Sequence, residues 1–215
     1  MKKGRLYLAL GLLIAFAIWT IAIQLIDVQA IGPRGSIVGF ATLNRFVHQL
    51  TGTHMALYTI TDWLGLVPVA VGFGFAVLGL VQWIKRRSVL KVDRSILILG
   101  GFYIVTLAAY LFFESYVVNY RPVLIEGYLE ASYPSSTTLL VLCVMPTAMM
   151  QLRDRIKQPM FRKCVSIVIR TFIAFMVIGR LISGVHWLTD IIGGILLSTG
   201  LVMIYNALIG GKIHE

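Results

Sequence analysis

Arg180, His186 and Asp190 lie in a stretch that is otherwise almost wholly apolar: Gly179-Arg-Leu-Ile-Ser-Gly-Val-His-Trp-Leu-Thr-Asp190. Keeping an arginine, an imidazole and a carboxylate at the end of a membrane-length hydrophobic segment costs free energy. That makes a functional site the default reading. On a helix, His186 and Asp190 are i and i+4 and share one face. A carboxylate so placed holds one imidazole nitrogen and leaves the other as a base or nucleophile. Arg180, just upstream, offers a planar fork to a phosphate or carboxylate. Taken alone, the segment fits an interfacial cluster equally well, with Arg180 reaching to headgroups and His186 capping a helix.

Two further segments break the tie. Asn119-Tyr-Arg-Pro122 carries a second arginine, Arg121. Tyr133-Pro-Ser-Ser-Thr-Thr138 has a helix-start pattern, a proline followed by hydroxyl residues able to cap. The N-terminus of a helix, with free N–H groups, is a ready anion site. Arg121, Arg180, a helix start bearing Ser135, Ser136 and Thr137, and a histidine supported by Asp190 together amount to a phosphate pocket with a nucleophile. The topology must bring them to one face.

The elements that would position them are membrane helices. The chain of 215 residues is 58% hydrophobic and 13% charged, which excludes an ordinary soluble domain. Apolar windows of about 20 residues place six spans at Leu6–Ile26, Leu64–Ile84, Ser95–Phe113, Ser136–Leu152, Val165–Ile182 and Trp187–Ile209. Lipid offers no partner to open backbone groups, so each span must be a helix. The first is too long for a signal-peptide core and reads as a retained span. Neither an internal repeat nor a low-complexity tract divides the chain, so residues 1–215 form one domain. Between the first two spans, the stretch Asp27–Asp62 is mixed in polarity. Ile37, Phe40, Leu43, Phe46, Val47 and Leu50 recur there near helical spacing, which suits an amphipathic helix at the interface.

The net charge of +10 does not point to nucleic acid, because the basic residues fill short loops between spans. Lys2, Lys3 and Arg5 precede the first span, Lys85–Arg94 and Arg153–Lys163 join later ones, and Lys212 follows the last. All belong to one side, which the positive-inside rule makes cytoplasmic. Both termini are then inside, while Arg121 and His186 share the outer face. Cys143 and Cys164 have neither CxxC spacing nor companion ligands, so no disulfide framework or zinc site is implied.

These three segments resemble the signature motifs of the type 2 phosphatidic acid phosphatase (PAP2) family of membrane lipid phosphatases, related in fold to vanadium haloperoxidases. The family pattern runs Lys-x6-Arg-Pro, then Pro-Ser-Gly-His, then Ser-Arg-x5-His-x3-Asp. The resemblance covers the chain from about the third span to the sixth. It implies an all-α bundle of six transmembrane helices, a lipid phosphate or diphosphate as substrate, and no metal or other cofactor. It also implies residue roles: His186 as the nucleophile that becomes a phosphohistidine, Asp190 as its orienting partner, Arg121 and Arg180 as phosphate ligands, and Ser135 with its neighbours as further phosphate contacts.

The departures are equally informative. Glu114 stands where the family has lysine, Ser136 where it has glycine, and Gly179 where it has serine. Thr137 replaces the family histidine that protonates the leaving oxygen. A threonine hydroxyl is too weak an acid for that task, and losing general acid catalysis costs roughly 10²–10⁴-fold. Three outcomes follow. The substrate is a diphosphate, whose leaving group needs little help; or Glu126, Glu130, His48 or His54 supplies the acid; or the chain is not a hydrolase. The alternatives to a hydrolase are a lipid phosphotransferase using the same intermediate and a non-catalytic binder of lipid phosphates.

Overall fold

The computed structural model describes residues 2–210; Lys212, counted above among the inner basic residues, lies outside them. The apolar runs become helices α1 (Lys2–Leu25), α4 (Leu66–Arg86), α5 (Arg94–Ser115), α7 (Pro159–Ile182) and α8 (Leu188–Leu208). Shorter helices α2 (Ala41–Thr51) and α3 (Met55–Leu64) precede α4, and α6 (Ser136–Arg155) stands between α5 and α7. Among the described residues there is no strand, only isolated bridges in loops. The chain is thus an all-helical membrane bundle.

Among the described residues five helices are long and apolar enough to cross a membrane, and one of them differs from the sequence reading. The second span begins well before Leu64. Gly65 keeps helical angles between α3 and α4, so Met55–Arg86 runs as one apolar stretch of 32 residues. The fourth expected span, α6, is a helix of 20 residues that falls short of that apolarity. Its position explains why. It packs against α4, α5, α7 and α8, so neighbouring helices rather than lipid receive its polar side chains. Buried Thr147 Oγ1 lies 3.2 Å from the Tyr103 hydroxyl of α5, and buried Gln151 donates to the Tyr205 hydroxyl of α8. A shielded helix needs less hydrophobicity than a lipid-facing one. With α6 at the centre, the layout keeps six membrane-length helices.

α1 lies along α8, and a small residue permits the close approach. A Cβ on Gly200 would sit 2.8 Å from Leu13 Cδ2. The expected amphipathic helix is α2, residues 41–51, so Ile37 and Phe40 of the expected set fall just before it. It buries Ala41 and Asn44 and turns Phe46 and Leu50 outward. Asn44 donates to Thr189 Oγ1 at 3.0 Å and accepts from the Thr189 N–H at 3.3 Å, which fastens α2 to the start of α8.

The two basic loops meet at one end of the bundle. Asp93 pairs with Arg86 at 2.9 Å from one loop and with Arg155 at 3.8 Å from the other. The starts of α3, α6 and α8 and the end of α7 gather at the opposite end.

Candidate active site

At that opposite end the α5–α6 connection folds back on itself as a short antiparallel pairing, Tyr120 against Ala131. Its register sets Asn119 across from Ser132 and Arg121 across from Glu130. The Ser132 N–H donates to the Asn119 carbonyl at 2.9 Å, and the Arg121 N–H donates to the Glu130 carbonyl at 3.0 Å. The connection therefore delivers Asn119, Arg121 and Ser132 to the beginning of α8.

The helical i, i+4 arrangement expected for His186 and Asp190 is corrected by the structure. α7 ends at Ile182, and Gly184 turns the chain with φ +69°; a Cβ there would run into the Gly52 carbonyl. His186 thus sits in a turn, not on a helix. The α2–α3 junction holds that turn: His54 N–H donates to the Ser183 carbonyl at 2.9 Å, and His48 Nε2 meets the Gly184 carbonyl at 3.0 Å. Asp190 lies in the first turn of α8 and caps it, accepting from the Trp187 N–H at 2.8 Å.

Asp190 consequently reaches His186 through an intermediary. His186 Nδ1 is 4.0 Å from Asp190 Oδ2. Ser132 Oγ stands between them, donating to Asp190 Oδ2 at 2.5 Å and lying 3.0 Å from His186 Nδ1. The Ser132 carbonyl also faces Nδ1 at 3.2 Å. With acceptors on that side, Nδ1 carries the proton. Asn119 donates to Asp190 Oδ1 at 3.2 Å. Neither Ser132 nor Asn119 was singled out from sequence. Asn119 stands in the Arg121 segment, but an isolated serine before Tyr133 carried no signal.

The other imidazole nitrogen faces cations. Arg180 Nη2 donates to His186 Nε2 at 3.2 Å, so Nε2 presents a lone pair. Arg180 is 1% exposed, His186 3% and Arg121 8%, so these groups hold charge away from water. Both guanidiniums lie over the Tyr58 ring, 5.0 Å from its centre for Arg180 and 5.9 Å for Arg121. Burial, then the neighbouring charges of Arg121 and Arg180, hold the His186 imidazole well below its ordinary pKa, which keeps it neutral.

Two carboxylates balance the arginines. Arg121 Nε is 3.0 Å from Glu130 Oε2, and Arg180 Nη1 is 3.6 Å from Asp62 Oδ1. The Glu130 contact is not aimed along the N–H. Arg121 Nε and Nη1 and Arg180 Nε are buried with no hydrogen-bond partner among the described residues. Orphaned guanidinium donors inside a protein are unusual, and they fit an anion with several acceptor oxygens.

The predicted residues therefore divide. Arg121, Arg180, His186 and Asp190 come together. Ser135 is buried and occupied: its N–H donates to the Asp190 carbonyl at 3.1 Å and its Oγ caps α6. Ser136 and Thr137 line a cavity of about 740 Å³ between α4, α5 and α6. Asp62 and Gly65 are at the same cavity, which continues past Leu66, Val69 and Phe73 to Tyr103 and Leu107. Glu114, in the last turn of α5, is exposed beside a small notch with Ser136. Of the acids considered from sequence, His48 and His54 bond to loop carbonyls, Glu126 is exposed in a turn, and Glu130 is the one that reaches the arginines. Tyr58 and Asp62 went unnoticed in the sequence because α3 lies more than a hundred residues upstream of His186.

Residues 69–213 match the family model of the PAP2 superfamily. The fold is similar to that of a transmembrane PAP2-type phosphatidylglycerolphosphate phosphatase from Bacillus subtilis, at TM-score 0.53 and 17% identity, covering 96% of this chain and 98% of that one. Among curated proteins, none matches the sequence.

Proposed function

The chain belongs to the PAP2 superfamily of membrane lipid phosphatases, and from that premise we propose that it removes phosphate from a lipid phosphate or diphosphate through a phosphohistidine on His186. The observation that carries this reading is the position of His186 Nε2. It is a neutral nitrogen with its lone pair directed at Arg180, beside guanidinium donors that lack a hydrogen-bond partner among the described residues.

Arg121 and Arg180 bind the phosphoryl oxygens and neutralise charge as it develops. Ser132 and Asp190 hold Nδ1–H, which fixes the tautomer and steadies the imidazole as Nε2 bonds to phosphorus. Leaving-group departure gives the phosphohistidine, and water then releases phosphate. The lipid tail lies in the cavity bounded by α4, α5 and α6, whose lining is largely apolar. The basic loops lie at the far end of the bundle, which by the positive-inside rule supports a reaction at the outer face.

The test is phosphate release by purified protein from a panel of lipid monophosphates and diphosphates, with His186→Ala as control. Turnover that vanishes in the variant supports the reading. A wild type that binds lipid phosphates without turnover would instead favour a non-catalytic binding protein.

A further inference from the structure

A leaving oxygen that departs as an alkoxide needs a proton, and Thr137 cannot deliver one efficiently. We propose that Asp62 is the proton donor to the leaving group and afterwards the base that activates water. The assignment rests on the phosphatase reading above.

The geometry of one guanidinium carries it. Arg180 offers its two terminal nitrogens to different partners: Nη2 to His186 Nε2 at 3.2 Å, and Nη1 to Thr61 Oγ1 at 3.5 Å and, as an ion pair, to the exposed Asp62 Oδ1 at 3.6 Å. A phosphoryl group gripped by that fork has the nucleophile at one end and the carboxyl at the other. In-line displacement requires the leaving oxygen opposite the attacking nitrogen. The side away from His186 is also the lipid side, since Asp62 lines the same cavity as Thr137, Leu66 and Val69. Asp62 therefore stands where phosphate meets tail. Glu130 is the competing carboxyl, but it pairs with Arg121 and is absent from the cavity lining.

The proton balance closes without a metal or any other co-reactant. A phosphate monoanion arriving on Arg180 brings its own proton, and its O–H donates to the Asp62 carboxylate beside it. Nε2 bonds to phosphorus, the phosphorus–oxygen bond breaks, and that proton moves through Asp62 to the departing oxygen. The products are the lipid alcohol, phosphohistidine and the Asp62 carboxylate. That carboxylate then takes a proton from water as the water oxygen bonds to phosphorus and the phosphorus–nitrogen bond breaks. His186 returns neutral, Asp62 passes the proton to the new phosphate dianion, and inorganic phosphate leaves as the monoanion.

Two substrates separate this role from a structural one: a short-chain phosphatidic acid, whose leaving group needs a proton, and p-nitrophenyl phosphate, whose leaving group does not. Each is followed by rapid mixing with wild type, Asp62→Asn, Asp62→Glu and Glu130→Gln. Asp62→Asn should slow phosphatidic acid cleavage by roughly 10²–10⁴-fold. With the aryl phosphate it should still release a near-normal burst of p-nitrophenol, followed by slow turnover because water lacks its base. Asp62→Glu should recover part of the alkyl activity, and Glu130→Gln should not reproduce the split. Equal slowing of both substrates by Asp62→Asn, or the split appearing in Glu130→Gln instead, would overturn the assignment while leaving the phosphatase reading intact. A wild type that cleaves neither substrate would overturn this assignment, while release of phosphate from lipid diphosphates in the panel above decides the phosphatase reading separately.

Discussion

Replacing Ser132 by alanine tests the finding that Asp190 acts on His186 through a hydroxyl. The substitution removes the 2.5 Å hydrogen bond to Asp190 and the 3.0 Å contact to His186 Nδ1, leaving the Ser132 carbonyl at 3.2 Å to hold the Nδ1 proton. A hydrogen bond to an ionised group contributes about 1.5–3 kcal/mol. At 1.36 kcal/mol per tenfold in rate, its full loss from the transition state corresponds to roughly 10- to 150-fold in kcat/KM. The carbonyl preserves the tautomer, so the loss should stop well short of that in His186→Ala. Asp190 keeps Asn119 and the Trp187 N–H, so the protein should still fold. The assay is phosphate release in detergent micelles, with thermal unfolding run in parallel. Adding Ser132→Ala to Asp190→Asn should cost almost nothing further, because the serine and the carboxylate act as one unit. Wild-type kcat/KM in a folded Ser132→Ala protein, or full additivity in the double variant, would refute the relay.

Arg121→Lys and Arg180→Lys keep the charge but lose the fork, and each should lower kcat/KM by roughly 10²–10³-fold, the scale of losing a donor to developing negative charge; steady-state kinetics with wild-type values would mark the arginines as merely interfacial. The depressed His186 pKa means that protonation, which blocks Nε2, begins only well below 6.5, so kcat/KM should show no acid limb near pH 6.5 in a pH–rate profile. The stability sign is separate: below 6.5 the unfolded chain binds a proton that the folded histidine refuses, so the contribution of this group to stability falls as pH drops through that region, as chemical denaturation at several pH values would register. In a Cys164→Ser background, Tyr128→Cys should react with an impermeant thiol reagent in intact cells and Leu90→Cys should not, since both positions are exposed and they sit at opposite ends of the bundle; the reverse labelling would invert the orientation.

The catalytic half was largely readable from sequence because its residues are costly where they stand. Arg180 and His186 in an apolar run demanded an explanation, and Arg121 and Asp190 arrived with them. What was not readable depends on contacts across the chain. Ser132 gains its meaning only when the Tyr120–Ala131 pairing sets it over Asp190. Tyr58 and Asp62 lie on α3, which the sequence reading left in the mixed-polarity stretch before the second span. The i, i+4 expectation failed locally, since Ser183-Gly184 breaks the helix before His186 and converts Asp190 into a helix cap. The polarity of α6 understated it as a span because its partners are other helices, a fact that no window along the sequence contains. Ser135 looked like a phosphate ligand, yet its hydroxyl and its N–H are both engaged within the protein.

The central claim is a covalent bond between phosphorus and His186 Nε2. The direct measurement is a rapid acid-free quench of the purified protein with a phosphate-labelled lipid substrate, followed by peptide mapping of the label. A phosphohistidine gives alkali-stable, acid-labile label at the stoichiometry of active protein, located in the peptide that contains His186 and missing from His186→Ala. Turnover without any labelled histidine under conditions that slow dephosphorylation, or label on another residue, would contradict it.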